Sequence, residues 1–168
     1  MTTLAADENR IPLELGRCVL TFGNLEFLIH SLVWLLIADD SARGRAITEQ
    51  LLDRPLGELL ERLSNIDSSG PSGTTAVQRR EAGDIAREFV KMLPERNAVI
   101  HALWASPQPT GEFPGRHIRT LARSPADTPP PDAPFTADAL VQLRLRLNPL
   151  LTRAAGLQMA LNNLIDRK

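Results

Sequence analysis

The sequence predicts an all-α fold, an up-and-down helical bundle with a long irregular or hairpin insertion before the last helix. Three observations carry this. Apolar residues recur at helical spacing along four separate blocks of the chain. Segments rich in Pro, Gly and Ser divide those blocks. The last block holds a leucine seam in unbroken three-four alternation. At 168 residues the chain fits one domain, residues 1–168, long enough to bury a core.

The first helix is expected from about Pro12 to Ala38, with Pro12 suited to its first turn. Its apolar face reads Leu15, Val19, Phe22, Ile29, Val33 and Leu36. A second block runs from Ser41, a good N-cap, to about Asp67. Arg54-Pro55 divides it in two, because a residue before proline avoids helical angles. Asp67 to Thr75 reads as a flexible loop.

The third block, about Thr75 to Trp104, carries the stripe Ile85, Phe89, Met92, Ile100 and Leu103. Pro94 removes a backbone donor from it and should kink it. Residues 105–135 form an irregular, Pro-rich connection, in which Arg116 to Leu121 reads as a hairpin strand and Ser124 to Pro134 as a linker. The last helix opens at Thr136, an N-cap, and runs to about Ile165. Leu140, Leu143, Leu147, Leu150, Ala154, Leu157, Leu161 and Leu164 form its seam, bent at Pro149. Such a seam either closes the bundle or pairs two protomers.

Charge and cysteine content narrow the function. Net charge is -1, so no global field recruits nucleic acid, and any anionic ligand is caught by a local patch. Lys91 and Lys168 are the only lysines; every other basic residue is arginine, the side chain that forks onto phosphate. Cys18 is the sole cysteine, which excludes an intrachain disulfide and a cysteine-based zinc cluster and suits a buried, inert thiol. Met1 to Arg10 is polar and has no signal-peptide core. The longest strongly apolar run, Leu32 to Ala38, is shorter than a bilayer span. A cytoplasmic protein is the expectation.

Two charges intrude where apolar residues belong. Wound at about 100° per residue, Glu26 falls within the stripe of the first helix and Arg96 within that of the third. Opposite charges on two core-facing stripes suggest that the helices pack and Glu26 holds Arg96. Asn24 and His30 lie near enough on the first helix to add hydrogen bonds. Such a pair either fixes helix register or pre-orients a guanidinium that faces an anion.

After Pro94 the chain reads Glu95-Arg96-Asn97-Ala98-Val99-Ile100-His101. Asn97 and His101 are i, i+4 neighbours, and Arg96 flanks the same groove. The trio suits cleavage of a ribose-phosphate backbone. His101 can move protons near neutral pH, Arg96 can neutralise charge developing on phosphorus, and Asn97 can orient imidazole or substrate.

This stretch, with the long first helix and its central Glu26, resembles the HEPN superfamily, whose signature is an Arg, four to six intervening residues and then a His, often with a polar residue directly after the Arg. Many members are metal-independent endoribonucleases of toxin-antitoxin and anti-phage systems, working as homodimers. The resemblance implies catalytic roles for Arg96, Asn97 and His101, with Glu26 and His30 supporting. It also implies RNA as partner, a second protomer, a cognate antitoxin or other partner protein, and no cofactor. The sequence departs from one subfamily pattern, having Leu103 where that pattern has Tyr, and no tyrosine at all. Other members keep the fold and act only as binding or dimerisation modules.

Outside the motif, Arg116, His117, Arg119 and Arg123 form a basic strip free of acidic residues, either a grip on an RNA backbone or a solvated loop face. Trp104 can stack on a base or cap the core. His30, His101 and His117 lie at no ligand spacing, so no metal site is expected.

Overall fold

The computed structural model describes residues 4–37, 49–50, 54–66, 74–104, 113–117 and 134–165. Four helices dominate: α1 (Leu4–Ile37), α2 (Leu56–Ser64), α3 (Ala76–His101) and α4 (Ala137–Ile165). The fold is therefore helical, as the periodicity predicts. The Ser41 cap, residues 67–73 of the expected loop, and residues 118–133 of the connection lie outside the described residues.

Pro12 departs from its expected first-turn position, while Pro94 and Pro149 stand inside their helices as expected. Pro12 lies inside α1, which begins eight residues earlier, while α3 runs through Pro94 and α4 through Pro149. Each proline removes one rung of a ladder that long flanking helices otherwise complete. Pro55, by contrast, sits at the start of α2 and its carbonyl accepts from Glu58 N–H at 2.9 Å, which is the division that Arg54-Pro55 predicts. The start of α3 is a capping box. Thr75 Oγ1 accepts from Gln78 N–H at 3.2 Å, and Gln78 Oε1 accepts from Thr75 N–H at 2.8 Å. Thr136 caps α4, its Oγ1 accepting from Ala139 N–H at 3.1 Å.

The insertion before α4 is a small antiparallel sheet of three short strands in the order β1 (Ala102–Trp104), β2 (Phe113–His117) and β3 (Pro134–Phe135). Its middle strand starts three residues before the expected hairpin strand. Pro134, expected in the linker, opposes Pro114 at the end of the ladder, where missing N–H donors do least harm.

The chain divides into two compact units, Met1–Phe22 with Leu93–Leu147, and Gly23–Met92 with Asn148–Lys168. In the first unit Ile11, Cys18, Phe22, Val99, Leu140 and Leu147 are buried. Arg10 pairs with Asp138 at 2.7 Å and Arg146 with Glu95 at 2.5 Å. In the second unit Leu25, Ile29 and Leu32 of α1, Leu59, Leu60 and Leu63 of α2, Ile85 and Phe89 of α3, and Ala154 and Leu161 of α4 are buried. Arg153 there clamps α4 to α3, reaching Glu81 at 2.8 Å and Glu88 at 2.7 Å.

Burial favours one of the two readings of the α4 seam and trims the apolar face of α1. The seam of α4, from Leu140 to Leu161, is buried within the protein, so it closes the helical packing and offers no apolar edge to a second protomer. On α1 the buried positions are Ile11, Glu14, Cys18, Thr21, Phe22, Leu25, Leu28, Ile29, Leu32, Val33 and Leu36; Leu15 is half-buried and Val19 exposed. Of the face read from sequence, Phe22, Ile29, Val33 and Leu36 are buried, and its first two positions, Leu15 and Val19, turn away from the core. Leu13, Leu20, Phe27 and Trp34, between 36% and 67% exposed, recur on α1 every seven residues. By length and composition the 28 residues Arg10–Ile37 suffice to cross a membrane, and 44% of their most apolar stretch is buried in the protein. Counting only the contiguous run Leu32 to Ala38 overlooked this, because isolated polar residues interrupt the run without making the helix polar.

Candidate functional site

The Arg-Asn-x-x-x-His run forms the last two turns of α3, just beyond Pro94. Glu95, immediately before it, is tied to Arg146 of α4, which anchors this end of the helix in the first unit. Arg96 and Asn97 are half-buried, and Val99 between Asn97 and His101 is fully buried. Arg96 Nη1–H donates to Asn97 Oδ1 at 3.0 Å. The Asn97 amide oxygen thus holds the guanidinium.

His101 is the final residue of α3, and β1 follows it without a loop. Its side chain lies outside what the structure describes, as do those of Trp104 and Arg116. The backbone nonetheless places these residues. The β1–β2 register sets Arg116 opposite Leu103, His117 opposite Ala102 and Gly115 opposite Trp104. The fold thus brings Trp104 and Arg116, read from sequence as separate binding elements, onto one hairpin that grows from the end of the motif helix. Arg119 and Arg123 lie outside the described residues.

Glu26 and His30 belong to the second unit, whereas Arg96, Asn97 and His101 belong to the first. Glu26 is half-buried rather than central to the core face. His30 Nδ1–H donates to the Glu26 carbonyl oxygen at 2.7 Å, which fixes the tautomer when the ring is neutral. His30 lines a groove of about 290 Å³ with Trp34, Leu35, Gln158 and Asn162. Among the described residues there is no cluster of three or more His, Cys, Asp or Glu able to hold a metal ion.

The buried acid of α1 is Glu14, which the helical-wheel argument passed over. It is 4% exposed and accepts hydrogen bonds from Arg17 and, at 3.2 Å, from Arg144 Nε–H. Burial alone would raise its pKa, but the two guanidiniums outweigh burial and hold the carboxyl below the usual carboxylate value. Beside it the Cys18 thiol donates to the Leu140 carbonyl oxygen at 3.2 Å and is pushed up to about 11 by burial and the Glu14 charge. This is the buried, inert thiol expected from sequence.

A buried arginine was also missed. Arg79 of α3 is 8% exposed, and only its place three and seven residues before Ala82 and Ala86 signals its inward direction. No protein-family profile matches this chain, and comparison with curated proteins and with solved structures finds no match.

Proposed function

We propose that this chain is a metal-independent endoribonuclease of HEPN type, cytoplasmic and homodimeric, serving as a toxin or anti-phage component. The observation that carries the reading is the end of α3. There Arg96 is held by a neutral amide, His101 closes the helix, and the adjoining hairpin carries Trp104 and Arg116.

In this reading His101 takes the proton of the ribose 2′-hydroxyl or returns one to the departing 5′-oxygen. The 2′-oxygen attacks phosphorus, the P–O5′ bond breaks, and the ends are a 2′,3′-cyclic phosphate and a 5′-hydroxyl. Arg96 stabilises the charge gathering on the phosphoryl oxygens, and Asn97 keeps the guanidinium in place. Glu26 assists by holding Arg96. Arg116, Arg119 and Arg123 grip the backbone and Trp104 stacks on a base. The exposed residues Leu13, Leu20, Phe27 and Trp34 of α1 support the dimer, since they offer an apolar stripe that the buried α4 seam does not.

That same stripe favours a second reading, a non-catalytic helical module that docks on a partner through α1. One experiment separates the two. Wild type and His101→Ala are compared for RNA cleavage in EDTA, with light scattering on both. Cleavage by a wild-type dimer, reduced roughly a thousandfold in a folded, dimeric His101→Ala, is the expected result. Failure of a well-folded wild type to cut any RNA, or equal cutting by the variant, overturns the nuclease reading.

A further inference from the structure

Three acidic residues of α3 lie near Arg79 in sequence, and each has another arginine partner. Glu81 and Glu88 both accept from Arg153, and Asp84 accepts from Arg87 at 2.6 Å. Arg79 itself has no carboxylate among the described residues. Its Nη1–H groups donate to the Thr74 carbonyl oxygen at 2.9 Å and to Thr74 Oγ1 at 2.8 Å. Its Nε is buried with no hydrogen-bond partner. An arginine that is 8% exposed and meets no carboxylate among the described residues is costly, and a ligand is one thing that can complete such a group.

The surroundings of Arg79 indicate what that is. It lines a cavity of about 240 Å³ together with Arg80, Arg87, Gly83, Ser64 and Ala76. Arg80 is exposed and makes no ion pair among the described residues. Among the described residues Asp84 is thus the one carboxylate that pairs with this cluster of three guanidiniums. Ala76 is the first residue of α3, so the cavity also receives the positive end of a 26-residue helix. The capping box leaves this end ordered, and Gly83 leaves room for the Arg87 guanidinium against α2. A Cβ at position 83 would meet Arg87 Nη1 at 3.2 Å. The cavity is smaller than the roughly 300–1,000 Å³ of a site that engulfs a whole organic ligand.

We infer that the cavity between α2 and the start of α3 binds a phosphate group, with Arg79 its central ligand and Arg80 its outer one. The group is either a terminal phosphate or a diester of a nucleic-acid backbone. The inference rests on residues apart from Arg96 and His101 and stands whether or not the chain cleaves RNA.

The test follows arginine Nε–H signals of the full chain by NMR while pyrophosphate, a single-stranded oligodeoxynucleotide or sodium chloride is added. The expected result is a saturable shift of the Arg79 Nε–H with one of the two phosphate probes and none with chloride at matched ionic strength. A shift with pyrophosphate alone assigns a terminal phosphate; a shift with the oligonucleotide assigns the diester. Arg80→Ala, an exposed and unpaired position, should weaken apparent affinity severalfold, and Arg79→Gln roughly tenfold or more. No saturable shift in wild type, or an equal shift with chloride, overturns the inference, and that outcome needs no variant to fold.

Discussion

Glu14 and Arg79 are both buried charges on long helices, yet the chain treats them in opposite ways. Glu14 in the first unit is closed off by Arg17 and Arg144, whose outer atoms reach solvent. Among the described residues Arg79 in the second unit is given the hydroxyl and carbonyl of Thr74, while the acids along its helix are taken by other arginines. A buried charge with its counterion inside the chain belongs to the architecture. One whose counterion is missing points outward, to a ligand.

The largest expected effect tests the closed half of this comparison. Glu14→Ala leaves Arg144 without its core anchor and should cost about 3 kcal/mol in urea unfolding at pH 7. The effect should depend on pH with a definite sign. The folded carboxyl titrates below its ordinary value, so its contribution is complete above about pH 5 and is lost as pH falls through the folded pKa. The gap between wild type and Glu14→Gln should therefore narrow on acidification. A gap that widens would mean that burial, not the arginines, governs this carboxyl.

Arg79→Met should behave otherwise. If Arg79 is kept for a ligand, an apolar residue of similar length relieves an uncompensated burial, and the free protein should gain up to about 1 kcal/mol. Added pyrophosphate should then stabilise wild type and leave the variant unchanged. A loss of more than about 1 kcal/mol in the absence of ligand would move Arg79 into the same class as Glu14, a structural charge held by Thr74.

The difference between these two sites was scarcely legible in the sequence, and α1 shows why. So many of its positions are apolar that two faces, one through Leu15 and Val19 and one through Cys18 and Leu25, fit helical periodicity about equally well. Only packing chooses, and it buries Glu14 and leaves Glu26 half-exposed. The start of the last helix was legible, because its cap at Thr136 acts locally, and so does Pro55 at the start of α2. The interior prolines misled at Pro12, where context restored a helix that local chemistry disfavours. At the candidate site the order of Arg96, Asn97 and His101 could be read directly. That Asn97 serves Arg96, and that Arg116 lies across a hairpin from Leu103, depends on rotamer and register, which no spacing rule encodes.

The smallest expected effect tells apart the two inner arginines of the α3 cavity. Gly83→Ala adds helix propensity of about 1 kcal/mol in the middle of α3. Against this, the new methyl would stand 3.2 Å from Arg87 Nη1 and 3.4 Å from the Leu63 carbonyl oxygen. Arg87 is bonded to the Ser64 carbonyl oxygen at 2.7 Å and to Asp84, so it gives way only by loosening one of these bonds, at about 1 kcal/mol. The two terms offset, and thermal denaturation should find a net change within about 0.5 kcal/mol. Because Arg79 is untouched, pyrophosphate affinity should stay within about threefold of wild type. A larger fall with stability preserved would make Arg87, displaced from its seat, the ligand on which the phosphate depends, and would leave Arg79 as a charge the fold tolerates.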